Sequence, residues 1–415
     1  MKKYVFLGRS IIGYTGAPRY INNKCRFLKE QGYEVCVFWC YGIGNVDLEN
    51  LRPFDNEKYF FRELNYYPCW FSKRQQRNVC DKIIKEIGNS DEIIIESNNL
   101  KVGAWGEIIA KKLKAKHINF VISEHIRIKS IEMFNYCYFK LKRNEFFTIN
   151  EPAVKFMFSN FKEIENAENY YWSASQGVNV KEYFFPAFDN LDNADYTICH
   201  FGRSKGYFPY MLSELKKFVS MYPEKTFNIF FIGDNFDRAR ICEMLSCNNL
   251  RVGFHPAVKI IPLQIFKKSD VIIATAGCAH LASYYGAKVI SMDVNKNVPL
   301  GLMQYTTLDS NTDSGKYKNK KSLCEWLTTL LIEKEEFTRI DIEQMAHSFD
   351  YQMQFLTDPD GSYFDISTVK DPITRRDTLL IALTKIGLFC LVDSLFKSKE
   401  KKLYAIERYM KELVV

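Results

Sequence analysis

The sequence predicts an α/β protein made of two Rossmann-like, doubly wound domains followed by a helical tail. Three observations carry this expectation. Short apolar strand candidates alternate with amphipathic helix candidates from Tyr4 to Ile149, and the same alternation restarts at Tyr196 and runs to Met292. Between the two runs, Asp189-Asn-Leu-Asp-Asn-Ala-Asp195 is polar, turn-prone and reads as a linker. The expected domains are 1–188 and 195–345, with residues 346–415 as the tail.

Taken in order, Tyr4 to Gly8 reads as a strand, followed by a loop to Pro18. A helix over Arg19–Gln31 places Ile21, Cys25 and Leu28 on one face, and Gly32 suits its end. The chain returns as a strand at Glu34–Cys40. Glu92–Glu96 is a short strand, a helix lies near Val102–Leu113, and strands follow at Ile118–Ile122 and Phe146–Ile149. The second run predicts strands at Tyr196–Phe201, Asn228–Ile232, Leu250–Gly253, Asp270–Ala274 and Lys288–Met292. Helices are expected over Tyr210–Tyr222, up to Lys268, and over Ala279–Tyr285. From about residue 315 the pattern is helical, punctuated by Pro359, Gly361 and Pro372, and no solenoid repeat is visible.

Composition narrows the class. The 415 residues are 47% hydrophobic and 26% charged, with 20 Gly and 12 Pro, which excludes a disordered or collagenous chain. A net charge of +8 over this length is too dilute for a nucleic-acid partner. The unusual feature is the aromatic share, 15%, from 33 Phe, 25 Tyr and 5 Trp. The apolar run Tyr4–Leu7 stops at Gly8-Arg9, too short for a signal sequence, and no apolar run is long enough to predict a spanning helix. The 12 cysteines lack paired spacing, which points to reduced thiols in the cytoplasm and to no metal site.

In open parallel sheets, ligands gather at the carboxyl ends of strands. Three loops qualify. The first, Gly8 to Arg19 with Gly13 and Gly16, suits a ligand loop or an ordinary surface loop equally. The second is Gly202-Arg203-Ser204-Lys205-Gly206, whose two cations beside two glycines suit a diphosphate or simple solvation. In the third, Thr275-Ala-Gly277-Cys278-Ala279-His280, a helix N-terminus offers amides to an anion. His280 there is placed for a phosphate contact or for helix packing. Glu124 and His125 close another strand; alternation turns them to opposite sides, and His125 is the one expected to face a cleft.

These pieces resemble the GT-B glycosyltransferases, and the retaining family 4 in particular. Thr15-Gly16-Ala17-Pro18-Arg19 and Gln31-Gly32-Tyr33-Glu34-Val35 are similar to that family's first loop and first helix end. So are Gln176-Gly177-Val178-Asn179, with Tyr183-Phe184 and Pro186 after it, and Phe201-Gly202-Arg203 leading to Ile232-Gly233-Asp234. The likeness covers residues 1–300 and implies two Rossmann-like domains facing a cleft, with the last helix crossing back to the first. It further implies a nucleotide-diphospho-sugar as substrate, no cofactor, and a capsular or lipopolysaccharide-type glycan or lipid-linked acceptor. Arg203 and Lys205 would then neutralise the diphosphate, Gly16 would approach the same group, and His125 would lie near the donor sugar.

Two departures stand out. The family spaces its Arg and Lys five apart, here two, so that only one of them is expected to reach the phosphates. The family's glutamate pair is missing from Ile272–Gly286. Instead, Thr275 to Gly286 resembles the Gly-x-x-His-Leu-Ala segment of the family-9 heptosyltransferases, with Thr275 in place of their Asp. Retention and inversion both stay open; an inverting enzyme would take Glu124 as base. A GT-B pseudoenzyme that binds without turnover and a sugar-nucleotide epimerase are the alternatives.

Nine basic residues between Lys111 and Arg143, and Trp70-Phe71 beside Lys73, Arg74 and Arg77, also fit an anionic membrane surface at the inner face of the cell membrane.

Overall fold

The computed structural model describes the chain apart from residues 1, 14–15, 43–45, 124–125, 173–179, 190–193, 234–235, 259, 312, 314, 316, 341–347, 356–361, 370–374 and 395–415. It begins with β1 (Lys2–Gly8), α1 (Gly16–Glu30) and β2 (Glu34–Trp39), and then runs through short 3-10 turns from Glu49 to Trp70. There follow α2 (Lys73–Ile87), β3 (Glu92–Ser97), α3 (Leu100–Leu113), β4 (Lys116–Val121), α4 (Ile131–Leu141), β5 (Phe146–Thr148) and α5 (Glu151–Phe158). The five strands form a parallel sheet in the order β2-β1-β3-β4-β5. Strands such as Tyr-Val-Phe-Leu and Ile-Ile-Ile are apolar on both faces because helices cover both faces of the sheet. The α2 start is fixed by a capping box between Ser72 and Gln75.

The chain continues with β6 (Val180–Lys181), α6 (Pro186–Asp189), β7 (Tyr196–Phe201), α7 (Phe208–Met221), β8 (Phe227–Ile232), α8 (Arg238–Met244) and β9 (Leu250–His255). Next come β10 (Ile261–Pro262), α9 (Gln264–Lys267), β11 (Val271–Ala274), α10 (Ala276–Tyr284), β12 (Val289–Met292), β13 (Pro299–Leu302) and α11 (Leu323–Leu327). The main sheet runs β13-β12-β11-β7-β8-β9, and β6 pairs β10 separately. All its ladders are parallel except β12–β13. The sequence pattern did not reveal β13; a proline-led strand with an internal glycine belongs at an edge, where no ladder bond is lost. After these elements come α12 (Phe349–Met353) and α13 (Arg375–Lys385), and a short helical stretch at 389–394.

The chain divides into two compact units, Met1–Trp172 with the segment from Phe349 onward, and Ser173–Ser348. Each is a doubly wound α/β unit, and two such Rossmann-like units in one chain are the build of the GT-B class. The division falls after Trp172, earlier than the polar stretch 189–195. In the first unit the returning segment is tied in by specific groups. Gln352 accepts hydrogen bonds from Tyr20 (3.1 Å) and Lys24 (2.9 Å). The Phe389 ring meets Tyr66 and Phe71, and Asp393 accepts from Tyr66 at 3.2 Å.

Aromatic residues fill these cores. Trp105 and Trp172 are fully buried, and Trp39 and Trp326 nearly so. Phe71 is buried as well, and the half-buried Trp70 packs against the core with its ring tilted on Tyr66, so this aromatic pair belongs to the packing of the first unit.

Candidate functional site

In the second unit the strand order reverses between β7 and β11: β8 and β9 lie on one side, β12 and β13 on the other. The loops that leave the carboxyl ends of β7 and β11 therefore emerge side by side, the place where open α/β sheets hold ligands. The close approach is built on glycine. Gly202 has φ +139°, and a Cβ there would stand 3.6 Å from the Cys278 Sγ at the start of α10. Gly233, at the end of β8 with φ +147°, packs so closely on the Gly202 carbonyl that no side chain fits.

Of the two cations expected here, Arg203 is exposed, whereas Lys205 is half-buried and its Nζ donates to Asn311 Oδ1 at 3.1 Å. Asn311 is positioned in turn, its carbonyl accepting from the Val294 amide at 3.0 Å. The neighbouring Asp293 carboxylate collects the amides of Asn295, Lys296 and Asp313 at 2.7–3.0 Å, which fixes the loop after β12.

Tyr207 joins the two ligand loops. Its hydroxyl lies 3.0 Å from His200 Nε2 and also hydrogen-bonds the Thr275 side chain. Burial pushes the Tyr207 phenol up, and Thr275 offsets part of that rise. His200 is buried, and burial together with the Lys205 charge pushes it down to about 3, so it is neutral at ordinary pH. Its Nδ1 has no partner among the described residues.

The helix α10 begins at Ala276, three residues earlier than the sequence pattern suggested. His280 therefore sits half-buried in the second turn rather than the first. The Cys278 and Ala279 amides turn back to the Thr275 carbonyl at 3.2 and 3.4 Å, and Ala276 bonds Ser310. Thr275 makes no side-chain cap, which leaves Gly277, exposed at the tip, to present its amide outward.

In the first unit, Gly16 opens α1 in an exposed position, and a Cβ there would meet nothing within 4 Å, so packing does not require glycine. Glu124 and His125 lie outside the described residues, as do Thr15, Gln176–Asn179 and Asp234 of the resembling motifs. Beneath the strand ends lie two buried polar networks that spacing alone did not reveal. Lys24 pairs with Glu96 at 2.7 Å, and Tyr4 donates to the same carboxylate at 2.7 Å. Burial lowers the Lys24 ammonium, against the pull of Glu96.

Alongside, Ser97 Oγ lies 3.0 Å from His117 Nε2, and His117 Nδ1 lies 2.7 Å from Glu107. This has the order of a nucleophile–base–carboxylate relay. All three residues are buried, however, and Gly106 of α3 presses on the hydroxyl and the ring, which leaves no room for a substrate. Lys140 reaches Glu107 and Glu145 at 3.0 and 2.7 Å, and Lys116 reaches Glu145 at 3.3 Å. Two of the nine cations between Lys111 and Arg143 are thus core ion-pair partners, not surface charge. Among the described residues no group of three His, Cys, Asp or Glu side chains could hold a metal ion.

No protein-family model matches the sequence, nor does any curated protein. Solved structures do. The chain is similar to a glycosyltransferase from Rickettsia africae (13% identity, 97% of this chain and 98% of that one, TM-score 0.48). It is also similar to MurG from Acinetobacter baumannii (11%, 70% and 78%, TM-score 0.41). A third is the UDP-GlcNAc 2-epimerase from Neisseria meningitidis bound to UDP-GlcNAc (13%, 92% and 99%, TM-score 0.41).

Proposed function

We propose that the protein is a glycosyltransferase that moves a sugar from a nucleotide-diphospho-sugar to a glycan or lipid-linked acceptor in surface-polysaccharide synthesis. One observation carries the reading: a half-buried lysine and an uncapped helix N-terminus stand on the two loops that leave the neighbouring strands of the switch point in the second unit. Glycosyl transfer passes through oxocarbenium-like charge while a diphosphate departs. The chemical demand is stabilisation of that leaving group and orientation of an acceptor hydroxyl. Lys205 and the Gly277 amide supply the first, and Arg203, exposed at the rim of the loop, adds charge from solvent. His125 and Glu124 remain the candidates beside the reacting sugar.

A thermal-shift series with UDP, GDP, CMP and ADP sugars tests the reading. A shift with one nucleotide that is lost in Lys205→Ala supports it, and no shift with any of them contradicts it. A second reading, binding without turnover, is favoured by the complete absence of Asp and Glu from Val271 to Lys288. A donor-induced shift with no transfer to any glycan acceptor would select it.

A further inference from the structure

Among the described residues, twelve large hydrophobic side chains are exposed, and four of them fall within thirteen residues of the returning segment: Leu379, Ile386, Leu388 and Leu391. One side of this segment is anchored in the first unit. Leu380 and Thr384 of α13 are buried, and Gln75 of α2 donates to the Thr384 carbonyl at 2.8 Å. In the helical residues 389–394 that follow, Val392 is fully buried. Leu379 on α13 and Ile386, which directly follows its last residue and still bonds the Ala382 carbonyl through its amide at 3.2 Å, are seven apart, hence on one face, and are 62% and 74% exposed. Past the turn at Gly387, Leu388 and Leu391 are exposed as well.

Cations stand on the same two helices. Lys385 is exposed on α13, and Lys73, Arg74 and Arg77 are exposed on α2, the helix that holds α13 through Gln75. The neighbouring acids are Asp377 on α13, Asp81 on α2, which pairs with Lys112 at 2.8 Å, Asp365, which lies in the field of Lys73, and Asp393, which is turned inward to Tyr66 and Arg62. The sequence beyond the described residues adds Lys397, Lys399, Lys401 and Lys402 against Glu400. No described helix is long and apolar enough to cross a membrane.

We propose that this face lies on an anionic lipid bilayer, with Leu379, Ile386, Leu388 and Leu391 entering the headgroup boundary and the cations of the two helices meeting lipid phosphates. The charge pattern favours this occupant over a protein partner, since exposed apolar side chains accompanied by like charge complement a negatively charged, laterally uniform surface.

The test is co-sedimentation of the full chain with vesicles of phosphatidylcholine alone and of phosphatidylcholine containing one-third phosphatidylglycerol. Binding is expected only to the anionic vesicles and weakens as salt rises. Leu379→Glu with Ile386→Glu lowers partition by at least about tenfold. Lys73→Glu and Arg74→Glu each lower it by about fivefold. Circular dichroism and Tm check that the fold persists, and Ile386→Ser serves if the double variant unfolds. Equal binding by the leucine-face variants, or no binding to anionic vesicles at low salt, overturns the proposal. So does a dimer in ultracentrifugation that the same variants dissociate, since a second copy would then cover the face. Nucleotide-induced thermal shifts are expected to be unchanged in these variants, so failure here is separable from failure of the donor-site reading.

Discussion

Lys205 and Arg203 were indistinguishable as letters in Gly-Arg-Ser-Lys-Gly; the fold separates them by turning the lysine to Asn311 and leaving the arginine in solvent. A hydrogen bond from a charged donor contributes about 1.5–3 kcal/mol. Lys205→Ala is therefore expected to weaken donor binding by about tenfold to a hundredfold in calorimetry, and Arg203→Ala by less than tenfold. Equal losses would mean that the loop rearranges around a ligand. Gly233 shows why single residues matter at this edge. Gly233→Ala places a methyl group against the Gly202 carbonyl in a left-handed conformation, and a loss of about 2–4 kcal/mol is expected in urea unfolding. His200, Tyr207 and Asn311 escaped the sequence reading because their roles depend on contacts of 7 to 106 residues' separation, which no local pattern encodes.

At the scale of elements, the alternation of apolar strands and amphipathic helices was legible because strands covered on both faces read as short apolar runs. Tyr196–Phe201 was legible to the residue. The 3-10 turns from Glu49 to Trp70 and the edge strand β13 were not, since neither has the periodicity of a helix or a buried strand. The α3–β4 contact is held by polar groups the pattern concealed. Burial would raise the Glu107 carboxyl, but Lys140 and His117 outweigh it and hold it at about 2. Burial, then Lys140, lowers His117 from its ordinary 6.5, against Glu107.

Both shifts act in the same direction on stability. An unfolded His117 binds a proton below about pH 6.5 while the folded one resists it, and Glu107 adds stability above about pH 4.5 that is lost as pH falls toward 2. Thermal unfolding of the wild type should therefore fall progressively below pH 6.5. His117→Asn should flatten the upper part of that decline; an unchanged profile would exclude this network as its source. Gly106→Ala, which overpacks the same ring and hydroxyl, should lower stability by about 1–3 kcal/mol.

At the scale of the molecule, two doubly wound units were foreseeable from two runs of one pattern, and their division after Trp172 was not. The segment from Phe349 onward belongs to the first unit, and it completes a buried ion pair there: Gln352 bonds Lys24, which pairs with Glu96. Breaking a buried pair from one side costs about 3–5 kcal/mol, so Lys24→Met should destabilise the first unit by that amount in two-probe denaturant unfolding. The candidate site was half legible. Glycines, cations and a helix start could be located by their place after strands, whereas the partners that aim them could not.

The switch point of the second unit is proposed to bind the diphosphate of a nucleotide sugar. Isothermal calorimetry of the full chain with the nucleotide sugar selected by thermal shift, on wild type and Lys205→Ala side by side, tests it most directly. Saturable binding to the wild type is expected, weakened at least about tenfold in the variant. Binding of equal strength to both would contradict it.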